Sequence, residues 1–202
     1  MAKISKDELN QRRSLFEAFT GNRGAAVGGE STSVRSMLST LYGTTRNGQA
    51  AIDTREAARR LGVSQRTVQR WIKNDHAPSA DHLKDLQKRS RQAATTKRGR
   101  ARALRRARRQ QTPQKQGVKV SVNGTQGPKD YPREGRNSSQ KLTPEEYENL
   151  LNAYAEGGDT AAMEYLTAVY SERYVDNWQF NKVADFRISG LSDLERDDPR
   201  AL

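Results

Sequence analysis

Large apolar residues recur at the three- and four-residue spacing of an amphipathic helix in several separate stretches of the chain. These sets are Leu15, Phe16 and Phe19; Val34, Met37, Leu38 and Leu41; Val68, Trp71 and Ile72; and Leu150, Leu151 and Tyr154. Two short stretches, 118–122 and 183–188, favour strands. The pattern therefore predicts a mainly α protein with a small β component.

The stretch 53–74 carries the clearest helix signals in the chain. Asp53 and Ser64 are each placed to cap a helix, and Gly62 stands where a tight turn needs a left-handed residue. Val63 fills the turn, and Leu61 closes the first helix on its inner side. The spacing predicts a helix-turn-helix, two short helices joined by a tight turn.

Composition changes this picture in two ways. Hydrophobic residues make up only 33% of the 202 residues, against about 45–50% in an average soluble domain. We therefore expect small folded units in a polar, partly disordered chain. Lys and Arg together number 36 and Asp and Glu 24, a net charge of +12, which predicts a polyanionic partner: nucleic acid first, an anionic membrane surface second.

The charge gives the second helix of the motif a chemical role. Its outward positions hold Arg and Gln, which read guanine and adenine edges in the major groove, and they hold no acid. The predicted base contacts are Gln65, Arg66, Gln69 and Arg70, and the predicted phosphate contacts are Ser64, Thr67 and Lys73. The alternative is a helical hairpin with a solvated polar face.

A run of arginines, at 97–109, follows the motif and contains no acid. Repulsion between like charges should keep the free run loose, whereas phosphate contact can order it as a helix. We predict that it adds DNA affinity without sequence specificity, and that it does not stack on single-stranded bases because it lacks aromatic residues. The predicted phosphate contacts are Arg98, Arg100, Arg102, Arg105, Arg106, Arg108 and Arg109.

Composition shifts divide the chain into four expected segments. The stretches 21–33 and 123–140 have the Gly- and Pro-rich character of loops, and aromatic residues cluster after residue 143. The predicted segments are an N-terminal helix and flexible loop at 1–32, a helix-turn-helix DNA-binding domain at 33–92, a basic arm and loop linker at 93–140, and a small α(+β) C-terminal domain with an acidic tail at 141–202.

Absences exclude several function classes. There is no Cys and there are only two His, so disulfides, Cys-based zinc sites and His-dependent triads are not expected, and we predict neither a metal site nor a bound cofactor. No stretch approaches the ~20 apolar residues of a membrane span, and the N-terminus lacks the apolar segment of a secretion signal. We expect a cytoplasmic protein of the bacterial nucleoid that is not a stand-alone enzyme.

Residues 55–71 resemble the helix-turn-helix of the telomere-protecting terminal proteins of linear actinobacterial (Streptomyces-type) chromosomes and plasmids. The order of parts is similar as well: an Arg/Ala-rich stretch, a strand-like segment at 118–122, and a hydroxyl-bearing segment before the helix that opens at Thr143-Pro144. The likeness extends loosely over about residues 33–195, and only the helix-turn-helix is close.

This resemblance implies a protein that caps the 5′ ends of linear replicons and supplies a hydroxyl to prime telomere end-patching. The catalyst is then a partner DNA polymerase with its own Mg²⁺, the priming substrate is a deoxynucleotide, and a telomere-associated protein is a further partner. Ser139 lies where the priming hydroxyl of the family falls, and the next candidates are Ser138, Thr143 and Thr125.

Two other functions remain open from the sequence. One is a transcriptional regulator, or a plasmid or phage replication initiator, that does not attach covalently to DNA and dimerises on half-sites about one helical turn apart. The other is a nucleoid or packaging protein that coats DNA through the arginine run. A homodimer is compatible with the first of these.

Overall fold

The computed structural model describes residues 4–28, 33–46 and 49–193. The predicted acidic tail beyond residue 193 and part of the Gly-rich stretch, 29–32, lie outside the described residues. The helices are α1 (Lys6–Thr20), α2 (Val34–Tyr42), α3 (Thr54–Leu61), α4 (Gln65–Lys73), α5 (Ala80–Thr95), α6 (Lys97–Ala107) and α7 (Pro144–Arg173). The strands are β1 (Gly43–Arg46), β2 (Gln49–Ile52), β3 (Gln111–Pro113), β4 (Val118–Pro128), β5 (Arg133–Leu142), β6 (Trp178–Ser189) and β7 (Leu191–Asp193).

Helices α2 to α5 form the helix-turn-helix unit around one apolar core. Met37, Leu38, Leu61, Val68 and Trp71 are buried in this core with Leu86 of α5, and the other predicted inward residues, Val34, Leu41, Val63 and Ile72, are partly buried and pack against it. Strands β1 and β2 make an antiparallel hairpin between α2 and α3. The apolar spacing over 34–41 and 68–72 thus predicted this core correctly.

A three-stranded antiparallel sheet with the order β5-β4-β6 forms the second core. Three valines of β4 alternate into this core, where they meet Leu150 and Tyr154 of α7. Helix α7 is broken at Gly158, whose φ of 75° and ψ of −149° are not helical. The described residues therefore form a mixed α/β fold of seven helices and small sheets, which agrees in general with the predicted mainly α class with a small β component.

The loop linker predicted over 123–140 is wrong, because most of this stretch belongs to β4 and β5. Glycine allows the backbones of neighbouring strands to approach closely here, because a Cβ on Gly124 would lie 1.9 Å from the carbonyl oxygen of Lys182 on the neighbouring strand. Gln126 is fully buried beside this irregularity, and its amide donates to the carbonyls of Val122 and Arg136. Gly and Pro therefore mark a bulge and a hairpin turn here.

The N-terminal helix is not a separate segment either. Leu15 and Phe19 of α1 are buried in the sheet core, and the Ser14 hydroxyl accepts the backbone N–H of Phe186 on β6 at 2.7 Å. The following stretch, expected to be a flexible loop, is packed over residues 21–28, where the Ala26 N–H donates to the Thr40 hydroxyl at 2.6 Å.

The basic arm is a packed helix, which corrects the expectation of a loose run. Leu104 of α6 is 1% exposed in the sheet core, and Ala93 and Ala94 of the preceding α5 join a third cluster with Phe16. Gly99 lets the two helices meet closely, since a Cβ there would lie 1.9 Å from the Gln92 carbonyl oxygen. The small and apolar residues between the arginines form the buried face of α6, and the high charge of the run gave no indication of this face.

Candidate nucleic-acid interface

Local hydrogen bonds fix both ends of the helix-turn-helix. The Asp53 carboxylate accepts the backbone N–H of Glu56 at 2.9 Å, and the Ser64 hydroxyl accepts that of Thr67 at 3.1 Å. Gly62 adopts the left-handed conformation, with φ 69°, at the C-terminus of α3. The caps and the turn therefore set the angle at which α4 leaves the core.

Helix α4 is amphipathic: one face is apolar, and the opposite face carries basic and amide side chains. Val68 and Trp71 are 0% and 3% exposed on the inner face. The side chains on the outer face are all exposed and include no acid; they are Gln65, Arg66, Gln69, Arg70 and Lys73. The sequence-predicted base contacts thus lie together on one surface, and their contact with DNA stays a prediction.

Three hydroxyl groups, those of Thr54, Ser64 and Thr67, organise the first turn of α4. The Gln65 side-chain amide donates to the Thr54 hydroxyl at the start of α3, at 2.8 Å, and the Ser64 and Thr67 hydroxyls lie 2.8 Å apart. Sequence reasoning missed Thr54, because no spacing rule links it to Gln65. The contact restricts where the Gln65 amide points.

The electrostatics of the motif favour an anion in front of it. Glu56, which is the one acid in α3, forms ion pairs with Arg59 at 2.6 Å and Arg60 at 3.0 Å. Hydrogen bonds from Arg60 and then Arg59 lower the pKa of Glu56. The carboxylate is therefore ionised and already paired, so it does not oppose a phosphate.

Three of the seven arginines predicted to bind phosphate have structural roles, which corrects that part of the prediction. Arg100 is 7% exposed and donates to the carbonyls of Tyr154, Ala155 and Glu156 at the break in α7. Such carbonyls end a helical segment without an intrahelical donor, so the guanidinium satisfies them.

Arg106 and Arg108 are engaged as well. Arg106 donates to the carbonyls of Leu41 and Tyr42 at the end of α2, at 3.2 and 3.3 Å. Arg108 pairs with Glu148 on α7 at 2.6 Å. Both side chains join the end of α6 to neighbouring helices, and a phosphate at either would have to replace these contacts.

The other four arginines of the run form one exposed line, which we call the arginine stripe. Its members are Arg98, Arg102, Arg105 and Arg109. Arg98, Arg102 and Arg105 are spaced by four and three residues and so lie on one face of α6, and Arg109 follows in the turn after the helix ends at Ala107. Within the described part of the chain none of the four has an ion-pair partner. The stripe is the part of the run that remains open to a polyanion.

The four candidate priming hydroxyls fall into different settings. Ser139 is exposed on the edge strand β5, opposite Ser121, and so lies in a strand rather than in the loop we expected. The Ser138 hydroxyl is turned toward the core and donates to Gln126 at 2.5 Å. Thr143 caps α7, and Thr125 is half-buried in the irregular part of β4.

A cleft of about 400 Å³ opens beside Ser139 on the uncovered face of the sheet. Lys119 and Lys141, which are direct cross-strand partners, line it together with Ser189. Its lining contains no carboxylate. The Ser139 hydroxyl is therefore accessible and stands beside two cations.

A helix-turn-helix family model matches residues 47–89. Residues 47–89 are therefore similar to helix-turn-helix domains, and this similarity suggests DNA binding. The match covers α3, α4 and most of α5, and no curated protein and no solved structure matches the chain. Among the helices of the described residues, none is long and apolar enough to cross a membrane.

Proposed function

We propose that this protein is a sequence-specific binder of duplex DNA, acting as a transcriptional regulator or a replication initiator. The observation that carries the proposal is the outer face of α4, where two amides and three cations are exposed together on a helix held by caps at both ends. The second helix of this motif is the element that enters the major groove. Arg66 and Arg70 suit guanine, and Gln65 and Gln69 suit adenine.

The arginine stripe supports the same proposal through the DNA backbone. Packing of α6 already orders the backbone that carries Arg98, Arg102 and Arg105, so binding requires less backbone ordering than it would in a loose arm. Each neutralised phosphate contributes about 0.9 to the slope of log affinity against log salt concentration. We therefore assign sequence reading to α4 and sequence-independent affinity to the stripe.

Selection of duplexes from a randomised pool by the full-length protein tests this assignment. We expect enrichment of a defined sequence, and paired half-sites about one helical turn apart if two copies bind together. Uniform recovery of unrelated sequences would instead support a packaging protein that coats DNA.

A second candidate function is suggested by the exposed Ser139 hydroxyl, which shares a cleft with Lys119 and Lys141. In this alternative, the protein is a terminal protein of a linear replicon, and Ser139 accepts the first deoxynucleotide. The Ser139 hydroxyl loses its proton to solvent, its oxygen bonds to the α-phosphorus of a deoxynucleoside triphosphate as the bond to pyrophosphate breaks, and a partner polymerase supplies the Mg²⁺. The chain itself is then a primer and not a stand-alone catalyst, with a telomere-associated protein as a further partner.

Covalent labelling distinguishes this candidate from the first. The protein is incubated with labelled deoxynucleotide, Mg²⁺ and extract of its own host, and then boiled in detergent. A label that protease removes and Ser139→Ala abolishes supports priming at Ser139. A label that survives this substitution moves the site to Ser138, Thr143 or Thr125, and the absence of any label rejects priming.

A further inference from the structure

The exposed large apolar side chains of the described residues converge on one place. They are Tyr131, Tyr174 and Val175, with exposed fractions of 77%, 53% and 43%. All three line a single shallow pocket, which we call the aromatic pocket, together with Pro128, Arg133 and Arg136. Apolar groups left in water at one spot commonly mark a binding surface.

A rigid network holds one wall of the aromatic pocket. Arg136 donates to the Tyr174 hydroxyl at 2.9 Å, and its guanidinium lies 5.5 Å from the Tyr174 ring centre. The same guanidinium lies 4.6 Å from the ring centre of Trp178, which is buried and meets Tyr174 edge-on at 5.0 Å. Tyr174 is thus fixed before any partner arrives.

The other wall is the turn between β4 and β5, which presents Tyr131. The Tyr131 N–H donates to the carbonyl of Pro128 at 2.9 Å. A Cβ on Gly127 would lie 2.7 Å from the Tyr131 carbonyl oxygen, so this glycine allows the turn to close tightly. The turn positions a largely exposed phenol ring that contributes little to the apolar cores.

The charge of the pocket indicates which kind of partner it binds. Its lining holds two guanidinium groups and no carboxylate, on a chain with a net charge of +12. Proteins bind single-stranded nucleic acids through aromatic rings that lie beside cations. The bases stack on the rings, and the phosphates contact the cations. A duplex cannot use the pocket in this way, because its base faces are stacked on one another.

We propose that the aromatic pocket binds an unpaired nucleotide of single-stranded DNA, with a base stacked on the exposed ring of Tyr131 and a phosphate near Arg133. This site is separate from α4 and independent of the duplex-reading proposal. Such a protein would hold a single-stranded segment, for example one opened or left unpaired near its duplex site.

Fluorescence anisotropy of a labelled oligothymidylate with the full-length protein tests the proposal. We expect Tyr131→Ala to weaken binding by about tenfold, as loss of a stacking partner does, while Tyr131→Phe binds like the original chain. Arg66→Ala serves as the matched control, since it should weaken duplex binding and leave the oligothymidylate unaffected.

An oligodeoxyribose phosphate of the same length without bases separates stacking from charge. We expect it to bind weakly to the original chain and to Tyr131→Ala equally, and Arg133→Ala to weaken binding of both oligomers. The proposal is overturned if Tyr131→Ala leaves oligothymidylate affinity unchanged, or if the baseless oligomer binds as tightly as the oligothymidylate. If Tyr131→Ala binds oligothymidylate with unchanged affinity, the partner of the pocket is instead a protein.

Discussion

Neighbouring arginines of α6 have opposite roles, and two substitutions separate them. Arg100→Ala leaves buried carbonyls of α7 without a donor, and we expect it to lower the free energy of unfolding by about 2–3 kcal/mol. Arg102 of the arginine stripe is exposed, so Arg102→Ala should change that free energy by less than about 0.5 kcal/mol. Urea denaturation measures the free energy of unfolding of both variants. Equal effects of the two substitutions would contradict the assignment of a structural role to Arg100 and not to Arg102.

The Thr54–Gln65 contact yields a second test at this scale. Thr54→Ala removes the acceptor that orients the Gln65 amide, so we expect affinity for the selected duplex to fall by about 2- to 10-fold, the worth of one neutral hydrogen bond. Thr54→Ser keeps the hydroxyl and should retain affinity. Anisotropy titrations compare the two, and a Thr54→Ala protein that binds as tightly as Thr54→Ser would leave this contact without a role.

Sequence reasoning succeeded at residues whose role depends on local spacing. Asp53, Gly62 and Ser64 occupy the cap and turn positions that their neighbours predicted. It failed for Arg100 and Arg106, because their acceptors lie more than fifty residues away along the chain. A count of arginines cannot distinguish a guanidinium that binds a carbonyl from one that faces water.

At the scale of elements, the start of α7 gives a pH-dependent prediction. Glu146 accepts the Thr143 N–H at 2.8 Å and pairs with Arg173. The backbone hydrogen bond from Thr143 lowers the pKa of Glu146, and Arg173 lowers it further. A lowered folded-state pKa contributes stability above the ordinary pKa of a glutamate, and this stability is lost as the pH falls through the folded-state value.

Glu146→Gln removes this contribution without changing the shape of the side chain. We expect the substitution to cost about 1 kcal/mol at neutral pH. The difference between the two proteins should shrink as the pH falls below about 4.3, the ordinary pKa of a glutamate. Urea denaturation across this range measures it, and a difference that grows in acid would contradict the account.

Periodicity predicted the helices of the helix-turn-helix unit and the first part of β4, 118–122, well, and it predicted the rest of β4 and all of β5 poorly. In β5, the residues on both faces are polar, and Leu142 is its one fully buried side chain. An edge strand of this kind gives no apolar alternation to read. Gly124 and Gly127 strengthened the impression of a loop, although they serve a bulge and a tight hairpin turn.

At the scale of the whole molecule, α6 joins the helix-turn-helix unit to the sheet. Arg106 binds carbonyls of α2, and Arg100 binds carbonyls of α7. The two tryptophans of the chain report on the two cores, since Trp71 is buried in the first and Trp178 lies on β6.

We therefore expect the chain to unfold as one unit. Trp71→Phe leaves a reporter in the sheet, and Trp178→Phe leaves one in the helix-turn-helix unit. Each variant should show a single transition in urea with the same cooperativity by fluorescence and by circular dichroism. Fluorescence and circular dichroism transitions that separate in either variant would mean that α6 does not couple the two cores.

The central claim is that α4 reads sequence while the arginine stripe supplies affinity. The most direct measurement compares Gln69→Ala and Arg102→Ala on the selected duplex and on a scrambled duplex, over a range of salt concentrations. We predict that Gln69→Ala reduces the preference for the selected duplex, by about 1–3 kcal/mol, and leaves the salt slope unchanged. Arg102→Ala should weaken both duplexes equally and lower the slope by about 1. A Gln69→Ala protein that keeps its full preference for the selected duplex would contradict the account.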